Sequence, residues 1–262
     1  MPRDSLFGVQ SVAGYLGEMT PSVDMCGRVT EESNEVPLLV HSMAVIGMWA
    51  TNMRSTRAAA TELHETLNSA IYQQREKWDA SIAENASSTC RWPIPMYQAI
   101  LIHIIFSIIC KDSISLGLDL KPSLPATDTD LLAALVLSCR RLGMFYYPNI
   151  LARYQPDDLS SYVWIGIEEV KRFDLALYRV CKILGSSKSN TNVGDYGNPG
   201  VARWQLTASE LQFPMPKNDL LWNAVNKEEW NSAATEDVYH FNLNDTMELE
   251  WISNSAELMQ RT

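Results

Sequence analysis

The sequence predicts an all-α fold, a multi-helix bundle or irregular helical array in a single domain. Apolar residues recur three or four positions apart over several long segments, which is the helical period, whereas the period-two alternation of strands is hard to find. Hydrophobic residues make up 46% of the 262 positions, enough for a sizeable buried core. No repeat of equal spacing indicates a regular solenoid.

Three helices are predicted in the first half of the chain. The first covers residues 36 to 53 and contains small residues that allow close packing. Ser55 is a plausible N-cap for the second. The third, PIPMYQAILIHIIFSIICK at residues 93 to 111, is apolar nearly all round and should cross the core. The apolar stripe of the second helix is predicted to consist of Ala59, Leu63, Leu67, Ile71 and Trp78.

Two further helices are predicted after residue 120. One runs from Thr129 to Leu142 and stops at Gly143, behind two arginines suited to the dipole of a helix C-terminus. The other runs from Tyr162 to Leu184, and the loop of residues 185–203 follows it. Its apolar face should contain Val163, Ile167, Val170, Phe173, Leu177, Cys181 and Leu184.

Charged residues on the helix from Tyr162 to Leu184 have a structural interpretation at this stage. Glu168 and Arg172 lie one turn apart, and Lys171 lies beside them. We interpret the three as a solvated helix face or as an interhelical ion pair.

The two ends of the chain differ in composition from its helical body. Residues 1–35 are rich in Gly, Ser, Thr, Pro and Glu without a sustained period, which predicts a flexible arm. Residues 36–231 form the predicted helical domain. Residues 232–262 form a C-terminal extension that should be helical or partly disordered.

The segment LQFPMPKNDLLWNAVNKEEW, residues 211–230, combines a proline-rich half with a helical half. Its prolines at 214 and 216 predict an extended approach, and Asn218 should cap one short helix. Leu221, Trp222 and Val225 should press that helix onto the bundle. The tryptophans at 164, 222 and 230 are therefore interpreted as packing anchors, not as ligand contacts.

Charge and targeting features narrow the range of functions. The formal net charge is −10, which disfavours direct binding to a polyanion because no basic cluster is visible. No secretory signal is read at the N-terminus, and the apolar stretch from Ile100 to Cys110 is too short to span a membrane. The five cysteines lack a C-x-x-C pair, so buried thiols are expected in place of a zinc site.

The patterns of common catalytic sites are missing from the sequence. Asp157-Asp158 lacks the third carboxylate of a magnesium-binding cyclase motif and is interpreted as a turn or helix start. His41, His64, His103 and His240 are far apart in sequence, and His103 is expected to be a core histidine with one hydrogen bond. No catalytic, cofactor-binding or metal-binding residue is assigned, and no enzymatic activity is expected.

Five stretches, taken in order, resemble the regulatory middle homology domain of fungal transcription factors, also known as the xylanolytic activator or fungal-specific transcription factor domain. They are EVPLLVHSMAVIGMWATN (35–52), WPIPMYQAILIHIIFSI (92–108), SCRRLGMF (138–145), YVWIGIEEVKRFDLALYRVCKIL (162–184) and the segment at 211–230. The chain departs from this family at Gly47-Met48, where a Gly-Ala pair is frequent, and at Lys217, where a cysteine is common.

The resemblance implies a transcription regulator in the nucleus that acts through protein partners, possibly as a homodimer or with a full-length family member. Members normally begin with a zinc-binding DNA-reading module, but Cys26 stands alone before Val36, so zinc is expected only in that missing module. DNA contact would then be indirect or through the missing module. Two alternatives stay open: a helical module that senses a small molecule, and an uncharacterised helical enzyme.

Overall fold

The computed structural model describes residues 35–82, 92–114, 124–186, 204–234 and 248–255. Most of the predicted arm, the predicted loop and the predicted C-terminal extension lies outside these residues. The described chain contains helices and short 3-10 turns but no strand, only two isolated bridges, Tyr146 with Gln212 and Pro214 with Trp251. The all-α prediction is confirmed. Within the described residues, none of the helices is both long and apolar enough to cross a bilayer.

The α-helices are numbered in chain order. They are α1 (Glu35–Ala50), α2 (Arg54–Gln73), α3 (Arg75–Trp78), α4 (Ile94–Ile114), α5 (Ala126–Leu142), α6 (Tyr147–Leu151), α7 (Ser160–Ser186), α8 (Asp219–Trp222) and α9 (Lys227–Ala233). Three 3-10 turns follow the same chain at Ala208–Glu210, Glu248–Glu250 and Ile252–Asn254.

Contacts divide the described chain into two compact units. The described residues of Thr30–Leu142 and Val180–Gln205 form one, termed the helical unit. The described residues of Gly143–Arg179 and Leu206–Thr262 form the other, termed the strap unit.

The helical unit is organised around α4. Helix α1 packs on both α2 and α4, and α5 packs on α4. Nearly every described side chain of α4 is buried, because its sequence is apolar all round and so has neighbours on every side. Trp78 ends α3 inside this core, where its Nε1 donates to the Ile71 carbonyl at 3.0 Å and its own carbonyl accepts from Tyr97 Oη at 2.8 Å.

Two helix starts differ from prediction. Met53, not Ser55, is the N-cap of α2, because Asn52 adopts a left-handed conformation (φ 60°) that turns the chain and lets the helix begin at Arg54. Helix α5 begins at Ala126, immediately after Pro125, whose carbonyl accepts from the Thr129 N–H at 2.9 Å. The end of α5 is as predicted, since Gly143 follows it with φ 70°.

The apolar stripes differ in how well they were predicted. All seven residues predicted for the face of α7 are buried. On α2 the stripe is only partly correct: Leu67 and Ile71 are buried, but Ala60 is buried in place of Ala59, and Trp78 lies beyond the end of the helix in α3.

Candidate functional site

The candidate site lies in the strap unit, where α7 carries three charged residues on a buried face. Glu168, Lys171 and Arg172 stand at spacings of three and four, so they share one side of the helix. Their exposed fractions are only 3%, 1% and 5%. The interpretation of these residues as a solvated helix face is therefore wrong.

The buried charges neutralise one another. Glu168 Oε1 lies 2.5 Å from Lys171 Nζ, and Glu168 Oε2 lies 3.7 Å from Arg172 Nη2. Arg172 Nη2 also donates to Asp219 Oδ1 at 2.8 Å, across from α7 to α8. Two carboxylates thus balance two cations, and the pair of Arg172 with Asp219 is the interhelical ion pair of the alternative interpretation.

The backbone of the strap, residues 211–218, is bound to the same cluster. The Lys217 N–H donates to Glu168 Oε2 at 3.0 Å, and the Lys217 carbonyl accepts from Arg172 Nη2 at 3.4 Å. The extended strap lacks the internal hydrogen bonds of a helix, so side chains of α7 supply partners for its backbone. This arrangement satisfies the buried carboxylate and holds the strap in place together.

Three tryptophans flank the cluster. The Trp164 ring centroid lies 6.4 Å from that of Trp222 and 6.1 Å from that of Trp230. Arg172 Cζ lies 4.8 Å from the centroid of Trp222, within cation–π range. Trp222 is 3% exposed, and its Nε1 has no hydrogen-bond partner among the described residues. The three rings pack on each other and on the guanidinium, as the packing interpretation expected.

The helical half of the strap segment is two helices and not one. Asn218, with φ 54°, caps α8 by accepting from the Leu221 N–H at 2.9 Å, as predicted. Asn226 caps α9 by accepting from the Glu229 N–H at 2.8 Å. This second cap starts a new helix after the turn, and it leaves Val225 67% exposed. The prediction that Val225 presses onto the core is wrong.

The sequence analysis missed a contribution from the C-terminal extension. The Ile252 N–H donates to the Phe213 carbonyl and the Ser253 N–H donates to the Leu211 carbonyl, both at 2.9 Å. Trp251 and Ile252 are both buried. The available signal was this apolar pair within an otherwise acidic stretch, which indicates a docked segment.

Asp174 is a second buried acid in α7 that the sequence analysis did not single out. It is 0% exposed, and neither of its carboxylate oxygens has a hydrogen-bond partner among the described residues. Burial raises the pKa of this carboxyl well above its ordinary value. Asp174 is therefore held as a neutral acid over a wide pH range.

Two histidines that are distant in sequence meet in the helical unit. The rings of His64 and His103 stack with centroids 3.9 Å apart. His64 Nε2 lies 3.1 Å from Ser107 Oγ, and His103 Nε2 lies 3.9 Å from Asp128 Oδ1. His103 is buried, as predicted for a core histidine, but neither of its ring nitrogens has a hydrogen bond within the described chain. The expected single bond is therefore wrong.

Burial makes both rings poor bases. It lowers the pKa of His103 to about 3, and the neighbouring His64 ring lowers that pKa further by charge repulsion. Burial also lowers the pKa of His64, while the Asp128 carboxylate acts in the opposite direction. Neutral, stacked imidazoles fit a packing role better than proton transfer near neutral pH.

The remaining candidates lie apart from these clusters. His41 is exposed on α1, and His240 lies outside the described residues. Asp157 and Asp158 lie in a turn, in which the Gln155 N–H donates to Asp158 Oδ2 at 2.8 Å, as the turn interpretation expected. Among the described residues, no group of three His, Cys, Asp or Glu side chains is placed to hold a metal ion.

Comparisons of the chain with protein-family models, with curated protein sequences and with solved structures gave no match.

Proposed function

We propose that the chain is the regulatory domain of a fungal zinc-finger-type transcription factor and acts in the nucleus through protein contacts, not as an enzyme. One observation carries the proposal. The two segments with the most distinctive part of the resemblance, 162–184 and 211–230, pack together within one unit through the pairs of Glu168 with Lys217 and Arg172 with Asp219. Distant motif positions that meet in space are what a shared domain would produce.

The charge of the chain supports a protein partner over a nucleic acid. A net charge of −10 opposes binding to a phosphate backbone, whose contacts need Lys and Arg to displace counterions. The proposed partner is a full-length family member with its own zinc module, or a second copy of the chain. Either would bring this domain to DNA indirectly.

A tethering experiment tests the proposal. The full chain is fused to a heterologous DNA-binding domain in a fungal host, and transcription from a reporter with the matching operator is measured. We expect a several-fold change in reporter transcript compared with the DNA-binding domain alone. Glu168→Ala, which breaks the cluster under the strap, should abolish the change, whereas Glu62→Ala at an exposed position should not.

Two outcomes would overturn the proposal. One is a reporter level unchanged by the fusion when immunoblotting and microscopy show it intact and nuclear. The other concerns the indirect route to DNA: the isolated chain should not bind duplex DNA in fluorescence anisotropy. Sequence-specific binding that weakens steeply with salt, the sign of several phosphate contacts, would show direct recognition instead.

A further inference from the structure

A surface cavity of about 470 Å³ lies at the C-terminal end of α5, within the helical unit. This volume falls in the range of roughly 300 to 1,000 Å³ that is typical of small-molecule sites. The cavity is separate from the strap and from the histidine pair. It is lined by Ser81, Ile82, Leu137, Arg140 and Arg141.

Two adjacent cations line this cavity in a protein of net charge −10. Arg141 Nη1 donates to the Ser81 carbonyl at 3.1 Å, and Arg140 Nη2 donates to the Gln205 carbonyl. Among the described residues, no carboxylate pairs with Arg141. Its carbonyl contact leaves guanidinium N–H groups available to another acceptor, since arginine has five.

The end of α5 neutralises these arginines only in part. The carbonyls of a helix C-terminus carry roughly half a negative charge, which favours cations there but does not balance two of them. The nearest described carboxylate in this wall is Asp79, and Asp79 already forms an ion pair with Arg75 at 2.9 Å. The cavity therefore keeps a local positive charge.

The wall opposite the arginines is held in place before any ligand arrives. Asp79 is 1% exposed and accepts from the Ser81 N–H at 3.0 Å and from Ser138 Oγ at 3.2 Å. These bonds fix the turn that carries Ser81 and Ile82 against α5. A pre-ordered wall reduces the conformational entropy lost on binding.

The rest of the lining is apolar. Leu137 lies one turn before the arginines, and Ile82 is 56% exposed although it borders the cavity. An anion without an apolar part would leave both side chains uncovered. A molecule with both parts would satisfy the charge and bury the apolar surface.

We propose that this cavity is a binding site for a small organic acid, in which Arg140 and Arg141 bind a carboxylate and Ile82 and Leu137 contact a short aliphatic body. The site makes the helical unit a sensor for such an acid. The proposal does not depend on the proposed transcription role, because none of its residues lies in the strap.

Hexanoate is the probe in a ligand-observed NMR titration of the full chain, with hexan-1-ol and inorganic phosphate as comparisons. A solvent-facing site of this kind should bind hexanoate with a dissociation constant of about 1 mM. Hexan-1-ol has the same body without the charge and should show no saturable binding. Phosphate has charge without the body and should bind about tenfold more weakly than hexanoate.

Substitutions locate the binding. Arg141→Gln should weaken hexanoate binding about tenfold, and Arg141→Lys should weaken it less, because a lysine keeps the charge and loses the planar two-point contact. Arg54→Gln, at an exposed arginine elsewhere in the same unit, is the matched control and should leave the titration unchanged. Arg141 is itself exposed, so the variant should keep the wild-type circular dichroism spectrum and melting temperature.

Three results would overturn the proposal. The first is the absence of saturable hexanoate binding. The second is hexanoate binding that Arg141→Gln does not weaken. The third is phosphate binding as tight as that of hexanoate, which would show that the apolar lining contributes nothing. A result for the reporter fusion in either direction leaves this titration unaffected.

Discussion

The carboxylate of Glu168 accepts a hydrogen bond from the backbone N–H of Lys217 at 3.0 Å, joining a helix to a strap 49 positions further along the chain. The same side chain lies 2.5 Å from the Lys171 ammonium. Glu168 therefore serves two buried donors, and its removal would leave both without a partner.

Glu168→Ala should lower the free energy of unfolding by about 3–5 kcal/mol, because it leaves buried Lys171 without its counter-charge. Urea denaturation followed by circular dichroism measures this loss. Glu62→Ala is the matched control, since Glu62 is exposed on α2, and its effect should stay within about 0.5 kcal/mol. Equal effects of the two variants would contradict the burial of the charge cluster.

The double variant Glu168→Met with Lys171→Met tests how much of that loss is an unpaired charge. Replacing both members of a buried ion pair with apolar residues of similar size is often close to neutral. We expect the double variant to be clearly more stable than Glu168→Ala in the same urea titration. A double variant as unstable as the single one would show that the bond to the Lys217 backbone dominates.

Gly166 on α7 has no room for a side chain. A Cβ at this position would lie 1.9 Å from Tyr154 Oη and 2.9 Å from Tyr154 Cζ, so the ring would have to move. Gly166→Ala should therefore destabilise the chain by about 1–3 kcal/mol, against the usual helical preference for alanine. The thermal unfolding midpoint, compared at matched concentration, measures the change.

Gly47→Ala is the control for that substitution. Gly47 also lies in a helix, α1, but a Cβ there meets nothing within 4 Å, so alanine should stabilise the chain by about 0.5–1 kcal/mol. Adding Tyr154→Phe to Gly166→Ala removes the closest atom of the clash and should recover part of the loss. If both glycine variants stabilise the chain, the close packing of Tyr154 on Gly166 is wrong.

The elements that were predicted correctly depend on local sequence. The face of α7 follows from apolar spacing, the end of α5 follows from Gly143, and the cap of α8 follows from Asn218, because each feature is decided within a few neighbouring residues. The start of α2 was missed even though its cause is local. Asn52 takes a left-handed conformation that a sequence permits without requiring it.

The site was harder to predict because its partners are far apart along the chain. Glu168 and Arg172 have the spacing of an ordinary exposed ion pair, and only the strap, residues 211–218, covers them. The contact between His64 and His103 likewise requires α2 and α4 to pack together. Periodicity shows which face of a helix is apolar, but it does not show which charged residues a distant segment will bury.

His103 predicts a loss of stability in acid. Its native pKa is about 3, whereas the unfolded chain has the ordinary value of 6.5. Above pH 6.5 both states are neutral, and below it the unfolded state takes up a proton that the native state does not, so stability falls as pH falls. One such group contributes a slope of up to about 1.4 kcal/mol per pH unit.

His103→Met should remove that slope, and urea titrations between pH 4 and pH 8 measure it. His41→Met is the matched control, because His41 is exposed on α1, and its stability profile should parallel that of the wild type. His64 remains in the variant, and its lowered pKa leaves a smaller slope of the same sign. A His103→Met profile parallel to the wild type would show that this ring accepts a proton in the native state.

Asp174 should have the opposite effect on pH dependence. Its native pKa lies well above the ordinary value of 3.8, so the native state keeps a proton that the unfolded state releases. Its contribution is complete below pH 3.8 and is lost as pH rises towards the native pKa. Asp174→Asn cannot ionise, so its stability relative to the wild type should increase as pH rises from 4 to 8.

Asp157→Asn, at an exposed turn position, is the control and should show no such pH-dependent gain in the same series of urea titrations. A constant difference between Asp174→Asn and the wild type would mean that Asp174 is ionised in the native state and has a cationic partner. Between about pH 4 and pH 6.5 the wild-type slopes from Asp174 and His103 oppose each other, since one state binds the extra proton at each site. A flat wild-type profile is therefore expected there, and each single variant should reveal the slope that the other residue causes.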